Sequence, residues 1–276
     1  NNNQDIAAYS ERRTGGALRL GYEYNEHLRQ AFTYSLVDRT VYNVQPNASF
    51  FIQNQKGNST LSQIGQTVAL DYRDSRTDPH EGFIVRLGTD LAGLGGTARY
   101  LRTRLDGNYY IPLERLTGDS DWVLALSASG GYFAQLGKEE KIIDRFFLGG
   151  DNLRGFQSGG AGPHAISPTG QIDSIGGRII YTQSTELRFP LPVSADLGLS
   201  GRTFVDVGSL YSVTKSIQGA PVGTRVTDSA GPRVGAGVGV SWKTPFGLIN
   251  VDLALPVLKR QFDKTQVFRF GFGTRF

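Results

Sequence analysis

The stretch "TARYLRTRLDGNYYI" (residues 97–111) places Leu101, Leu105, Tyr109 and Ile111 on one face of an extended chain and Arg102, Arg104, Asp106 and Asn108 on the other. Successive side chains of a strand point to opposite faces, so this period of two predicts a strand with one apolar and one polar side. The same alternation recurs outward in both directions. "ALRLGYEY" gives Leu18, Leu20, Tyr22 and Tyr24, "RQAFTYSLV" gives Phe32, Tyr34 and Leu36, and "SQIGQTVALDY" gives Ile64, Val68, Leu70 and Tyr72. "GFIVRLGTDL" gives Phe83, Val85, Leu87 and Leu91, and "WVLALSASGGYFAQL" gives Trp122, Leu124, Leu126, Tyr132 and Leu136. "RIIYTQSTELRF", "LSGRTFVDVGSLY", "RVGAGVGVSW", "GLINVDLAL" and "VFRFGFGTRF" follow, for about eleven strands in all.

A soluble sandwich and a membrane barrel both alternate, so the period alone does not separate them. Three features favour the barrel. The alternating runs are longer than the roughly 5–6 residues usual for soluble strands. Aromatic residues cluster near strand ends (Tyr22, Tyr24, Tyr109, Trp122, Tyr132, Trp242, Phe276), as an interfacial girdle requires. The connections alternate between short and long, with only "AGLGG" breaking the pattern, which is the mark of an outer-membrane barrel with its turns in the periplasm. The expectation is an all-β, antiparallel transmembrane β-barrel of about 11–12 strands, a single domain over residues 1–276. Residues 137–177 then form a long extracellular loop. An odd strand number does not close in the usual way. Either a twelfth strand lies in residues 1–13 or strands precede this sequence, and the opening "NNNQDIAAYSERR" favours the latter.

Composition narrows the function. The chain has 276 residues, 36 Gly, 16 Phe, 12 Tyr and no Cys, with a net charge of +4. Without cysteine there is neither a disulfide framework nor a thiolate metal site. Three scattered histidines (His27, His80, His164) argue against a histidine metal centre. No run of about 18 apolar residues encodes a transmembrane helix. The glycines of "GAGVG" and "GVGVSW" sit in strands rather than in a strand-to-helix phosphate loop, so no nucleotide or other cofactor is expected. Basic residues are spread over lumen and loops rather than gathered in a patch, which disfavours nucleic acid.

The long loop contains "RFFLGGDNLRGFQSGGAGP" (145–163), too polar and glycine-rich to read as a strand. Its glycines allow a tight fold back into a wide lumen, where Arg154 needs planar acceptors. Parity puts Glu186 of "RIIYTQSTELRF" and Asp206 of "RTFVDVG" on lumenal faces of adjacent strands, a geometry suited to bidentate pairing. An ordinary surface loop with Arg154 in water is the alternative.

"FFLGGDNLRGF" followed by "GP", then "STELRFP", "TFVDVGSLY", "GVGVSWKTPFGLINVDLALP" and a final "FRFGFGTRF", resembles the C-terminal part of the BamA family of outer-membrane insertases. "DYRDSRTDPHEG" is similar to a segment of the same family. The resemblance implies the C-terminal part of a sixteen-stranded barrel in the bacterial outer membrane, without the preceding periplasmic POTRA domains. It implies that Arg154, Gly155 and Phe156 dock onto Glu186 and Asp206, with Phe156 beside the contact. It also implies a weak seam between first and last strands, formed here by Phe268, Phe270, Gly271, Phe272, Gly273 and Phe276. In that strand Phe268, Phe270, Phe272 and Phe276 would face lipid, and Val267, Arg269, Gly271, Gly273 and Arg275 would face inward. The partners implied are unfolded outer-membrane proteins, membrane lipid, and accessory lipoproteins reached through the POTRA domains.

Other functions carry weaker signals. A secretion transporter of the same superfamily shares the Arg-Gly-Phe loop. A porin would need a constriction of segregated charge, which Arg102, Arg104, Asp106, Arg178, Glu186, Arg188 and Arg202 could supply. A barrel hydrolase would have to use His164 with Ser158, Ser167, Asp151 or Asp173, and no nucleophile motif surrounds them.

Overall fold

Alternating residues become long strands because each places one row of side chains against lipid and the other against the interior. The structure is a computed structural model that describes residues 10–137, 140–193, 197–213, 221–244 and 247–272. Six strands come first: β1 (Ser10–Glu23), β2 (Leu28–Tyr42), β3 (Gly57–Asp71), β4 (Gly82–Ala92), β5 (Tyr100–Pro112) and β6 (Val123–Gln135). The long loop carries three short strands, β7 (Gly155–Phe156), β8 (His164–Ile166) and β9 (Ile172–Ser174). Beyond it lie β10 (Ile179–Pro190), β11 (Leu199–Tyr211), the short β12 (Arg225–Thr227), β13 (Arg233–Thr244) and β14 (Gly247–Leu258). The short β15 (Thr265–Gln266) and β16 (Phe268–Phe272) end the described chain.

The long strands form one antiparallel sheet of 11 strands in the order β1-β2-β3-β4-β5-β6-β10-β11-β13-β14-β16. Residues 24–27, 72–81 and 113–122 connect strands at one rim, and 43–56, 93–99, 140–178 and 259–267 lie at the other. The longest connections share the second rim. Leu18, Leu20, Tyr109, Val238, Trp242 and Leu253 are among the outward, exposed side chains, in keeping with a lipid-facing surface.

The core is made by the loop. Leu148, Leu153, Phe156 and Ala161 pack against Tyr100 of β5, Phe133 of β6, Ile180 of β10 and Leu210 of β11. A second cluster joins Val41, Ala48 and Ile52 from the β2–β3 region to Ile142, Ala165 and Ile175 of the loop. The sheet is thus wrapped around its own long connection, rather than stacked on another sheet around a dry centre.

Several expectations change in detail. Residues 10–13 belong to β1, where Ser10 pairs with Tyr42 and Arg13 with Arg39, and residues 1–9 of the expected twelfth strand lie outside the described residues. The polar "SERR" start had concealed that extension. The loop, read as strandless, pairs Gly155–Phe156 with Thr265–Gln266, and His164–Ile166 with both Ile172–Ser174 and Arg225–Thr227. Burial makes those ladders necessary, because buried backbone groups need partners. Val267, expected inward, lies between β15 and β16 and is 46% exposed. Gly273, Arg275 and Phe276 lie outside the described residues.

Val238, near the middle of β13, is 56% exposed on the outward face. Val238→Lys is expected to destabilise the complete protein in a bilayer by about 2–4 kcal/mol, read as a lower urea midpoint in liposomes.

Candidate functional site

Strand register builds the site before the loop arrives. In the β10–β11 ladder Ser184 lies opposite Asp206, and Glu186 lies opposite Phe204. Residues two apart share a face, so these four side chains form a square on the lumenal wall. Glu186, Asp206 and Phe204 are buried.

Arg154 enters this square from the loop and is 1% exposed. Its Nε donates to Asp206 Oδ2 at 2.6 Å and its Nη2 to Asp206 Oδ1 at 2.7 Å, a two-pronged pairing. Nη1 donates to Glu186 Oε2 at 2.6 Å, and Nη2 also reaches Ser184 Oγ at 2.9 Å. The backbone N–H of Arg154 donates to Asp206 Oδ2 at 3.1 Å. Ser184 Oγ in turn donates to Asp206 Oδ1 at 2.6 Å, and Arg188 Nε to Glu186 Oε1 at 3.2 Å. Phe204 covers the guanidinium, with its ring centre 3.3 Å from Cζ. Charge-assisted bonds and a desolvated cation–π contact, the latter worth about 2 kcal/mol or more, offset the loss of hydration.

The backbone reaches this position because two glycines make room. Gly155 has φ +92°, a conformation that favours glycine, and a Cβ there would meet Leu255 and Pro256 of β14 at 3.2–3.3 Å. Gly235 sits at a register shift in β13. A Cβ on it would lie 1.9 Å from the Arg154 carbonyl oxygen, so Gly235 lets the loop backbone rest on the wall.

The structure brings Arg154, Glu186 and Asp206 together. Phe156, expected beside the guanidinium, belongs to the apolar cluster with Leu148 and Leu153 and pairs with Thr265 across β7–β15, while Phe204 provides the ring over Arg154. Ser184, Phe204 and Gly235 were not singled out from sequence. The first two share parity with Glu186 and Asp206, which was the available signal. On β16, Phe268, Phe270 and Phe272 are exposed, and Gly271 has open space around it. Five residues of β16 pair with β14, and its other side has no strand partner among the described residues. Arg269 of β16 contacts Asp151 of the loop at 2.6 Å.

Several other lumenal charges are paired. Arg102 contacts Asp90, Arg104 contacts Asp106 and Arg202 contacts Asp252, at 2.6–2.8 Å, and Arg178 contacts Glu140. Together with the inserted loop, this leaves no segregated constriction of the porin kind among the described residues. A space of about 300 Å³ remains beside Arg154, bordered by Arg86, Arg104, Asp106 and Ser129. His164 is 1% exposed with neither ring nitrogen hydrogen-bonded, and burial holds the imidazole below its usual pKa. Asp173 receives the Ser49 N–H, while Ser167 contacts Thr169, so neither forms a nucleophile–base pair with His164.

A sheet wrapped around a loop, and fastened to it by a buried arginine, defines a membrane barrel whose interior is occupied by its own long β6–β10 connection. The Omp85 superfamily domain matches residues 1–276, and the chain belongs to that superfamily. It is 28% identical over 263 residues to the outer membrane protein assembly factor BamA of Neorickettsia risticii, covering 95% of this chain and 34% of that protein. It is 30% identical to a SAM50-like protein of Schizosaccharomyces pombe, covering 99% of this chain and 57% of that one. A crystal structure of Haemophilus ducreyi BamA lacking POTRA domains 1–3 shares the fold with a TM-score of 0.81 at 22% identity, over 98% of this chain and 56% of that one. The chain thus spans between about a third and three-fifths of these relatives.

Gly235→Val should displace the loop without touching the carboxylates. In the complete protein, proteolytic cleavage within residues 145–163 should accelerate at least about tenfold, the equivalent of 1.4 kcal/mol. Gly107→Ala, whose added Cβ meets nothing within 4 Å, should leave cleavage unchanged.

Proposed function

We propose that this chain is the barrel of an outer-membrane β-barrel assembly factor, which folds client proteins into the membrane by adding their strands to a weakly paired edge. The reading rests on the superfamily match, on bacterial relatives named as outer membrane protein assembly factors, and on the loop clasped inside the lumen. The single observation that carries the mechanism is the outer edge of β16, which has no strand partner among the described residues while its other edge pairs with β14. An edge with free N–H and C=O groups pairs with another strand through backbone bonds that need no particular side chain. That chemistry suits many client sequences. Each hairpin added in this way has its polar backbone groups satisfied before it meets lipid.

In this reading the Arg154 latch, with Gly155, Phe156, Glu186 and Asp206, keeps the loop in the lumen while the seam on Phe268, Phe270, Gly271, Phe272, Gly273 and Phe276 works. The membrane is the bacterial outer membrane, and the partners are unfolded outer-membrane proteins, lipid, and accessory lipoproteins engaged through POTRA domains. No nucleotide, cofactor or covalent step enters the mechanism. The paired lumenal charges favour this reading over a porin.

The test is a cysteine pair joining the first and last strands of the complete barrel, reconstituted in liposomes with an unfolded client. Oxidation is expected to lower the client folding rate at least about tenfold, a 1.4 kcal/mol change in barrier, with recovery on reduction. Insertion at full rate by the cross-linked protein would refute strand addition at that seam.

A further inference from the structure

The Arg154 square fastens the loop to β10 and β11. A second buried ion pair fastens it to the opposite side of the lumen. Arg39, on the inward face of β2, donates through Nη1 to Asp144 Oδ1 at 2.6 Å and through Nη2 to Oδ2 at 3.4 Å. The two side chains are 4% and 5% exposed. Residues 105 apart in sequence are joined here, and β2 stands five places from β10 in the sheet order.

The neighbourhood of the pair is built to hold it. Gln55 Oε1 accepts the Ile142 N–H at 2.9 Å, and Asp173 Oδ2 accepts the Ser49 N–H at 2.5 Å. Val41, Ala48, Ile52, Ile142 and Ile175 pack together in one buried cluster. On the other side, the loop tip pairs Gly155–Phe156 with Thr265–Gln266, and Gln157 and Gly160 exchange backbone bonds with Lys264. Both attachments are buried or laddered, and the Arg39 pair shares no residue with the Arg154 square.

We infer that Arg39 and Asp144 are positioning residues: their ion pair makes the loop a strut of fixed length between the β1–β3 wall and the β10–β16 wall. The pair sets the spacing of the two walls. Breaking it leaves one charge buried without a partner, an arrangement relieved by admitting water and letting the β1–β3 wall move. Arg154 would still hold the loop to β10 and β11. The inference deepens the assembly reading, since wall spacing governs how a seam opens, but its test involves no client.

Spin labels on Leu36→Cys of β2 and Leu253→Cys of β14, both outward-facing, report the wall-to-wall distance in the complete protein in nanodiscs. The unmodified pair is expected to give one narrow distance distribution. Arg39→Gln and Asp144→Asn should each broaden it at least twofold, and the exchanged pair Arg39→Asp with Asp144→Arg should narrow it again. Cleavage within 145–163 should stay at the unmodified rate in all three, showing that the Arg154 latch persists. A distribution as narrow in Arg39→Gln as in the unmodified protein would overturn the inference, as would broadening that the exchange does not reverse. Either result leaves the seam cross-linking test untouched, and a failed cross-linking test leaves the strut standing.

Discussion

A guanidinium removed from water must meet fixed acceptors, and the complete burial of Arg154 imposes that requirement on the whole molecule. Asp206 takes two of its N–H groups, Glu186 and Ser184 take others, and Phe204 closes the face. Those four side chains are aligned only because β10 and β11 pair in one register, with Ser184 opposite Asp206 and Glu186 opposite Phe204. A slip of one residue would turn all of them towards lipid. Arg154 therefore couples loop position to strand register. The same constraint explains the backbone around it, since Gly155 and Gly235 lie where an added Cβ would press between loop and wall.

The barrel also inverts the usual arrangement of a soluble protein. Its strands put their apolar rows outside, so the interior would be a wet, charged bore if the loop were absent. The loop supplies Leu148, Leu153, Phe156 and Ala161 as an inner core, while several lumenal arginines contact carboxylates of the wall, as Arg102 of β5 contacts Asp90 of β4. Removal of one partner from such buried pairs costs far more than the net worth of the pair. Loop position is thereby specified as well as stabilised.

Much of this was legible in the sequence, for physical reasons. Period-two alternation survives because lipid and lumen impose opposite demands on alternate residues, so "TARYLRTRLDGNYYI" declared its two faces directly. Parity placed Glu186 and Asp206 on the inward face, but the family resemblance, rather than parity alone, joined them to Arg154. Phe204 was not legible, because a phenylalanine in a barrel strand reads as lipid-facing unless its parity is followed. Gly235 was hidden among the inward glycines of β13, and only the approach of another backbone distinguishes it from them. Arg39 and Asp144 gave no local signal at all, since their contact depends on how far the loop reaches across the bore. The polar beginning of β1 escaped for a related reason: at a strand end outside the apolar band, alternation fades although pairing continues.

The most direct measurement is amide hydrogen exchange of residues 148–160 in the complete protein, compared among the unmodified form, Arg154→Ala and Arg154→Lys. Loss of a buried charge partner costs about 3–5 kcal/mol, less where water enters the lumen. Exchange in Arg154→Ala should therefore accelerate roughly 10- to 100-fold, with β10 and β11 still protected. Arg154→Lys should fall between the two, because an ammonium keeps the charge but lacks the planar fork. Exchange in Arg154→Ala at the unmodified rate, with the barrel folded, would show that the arginine does not hold the loop in place.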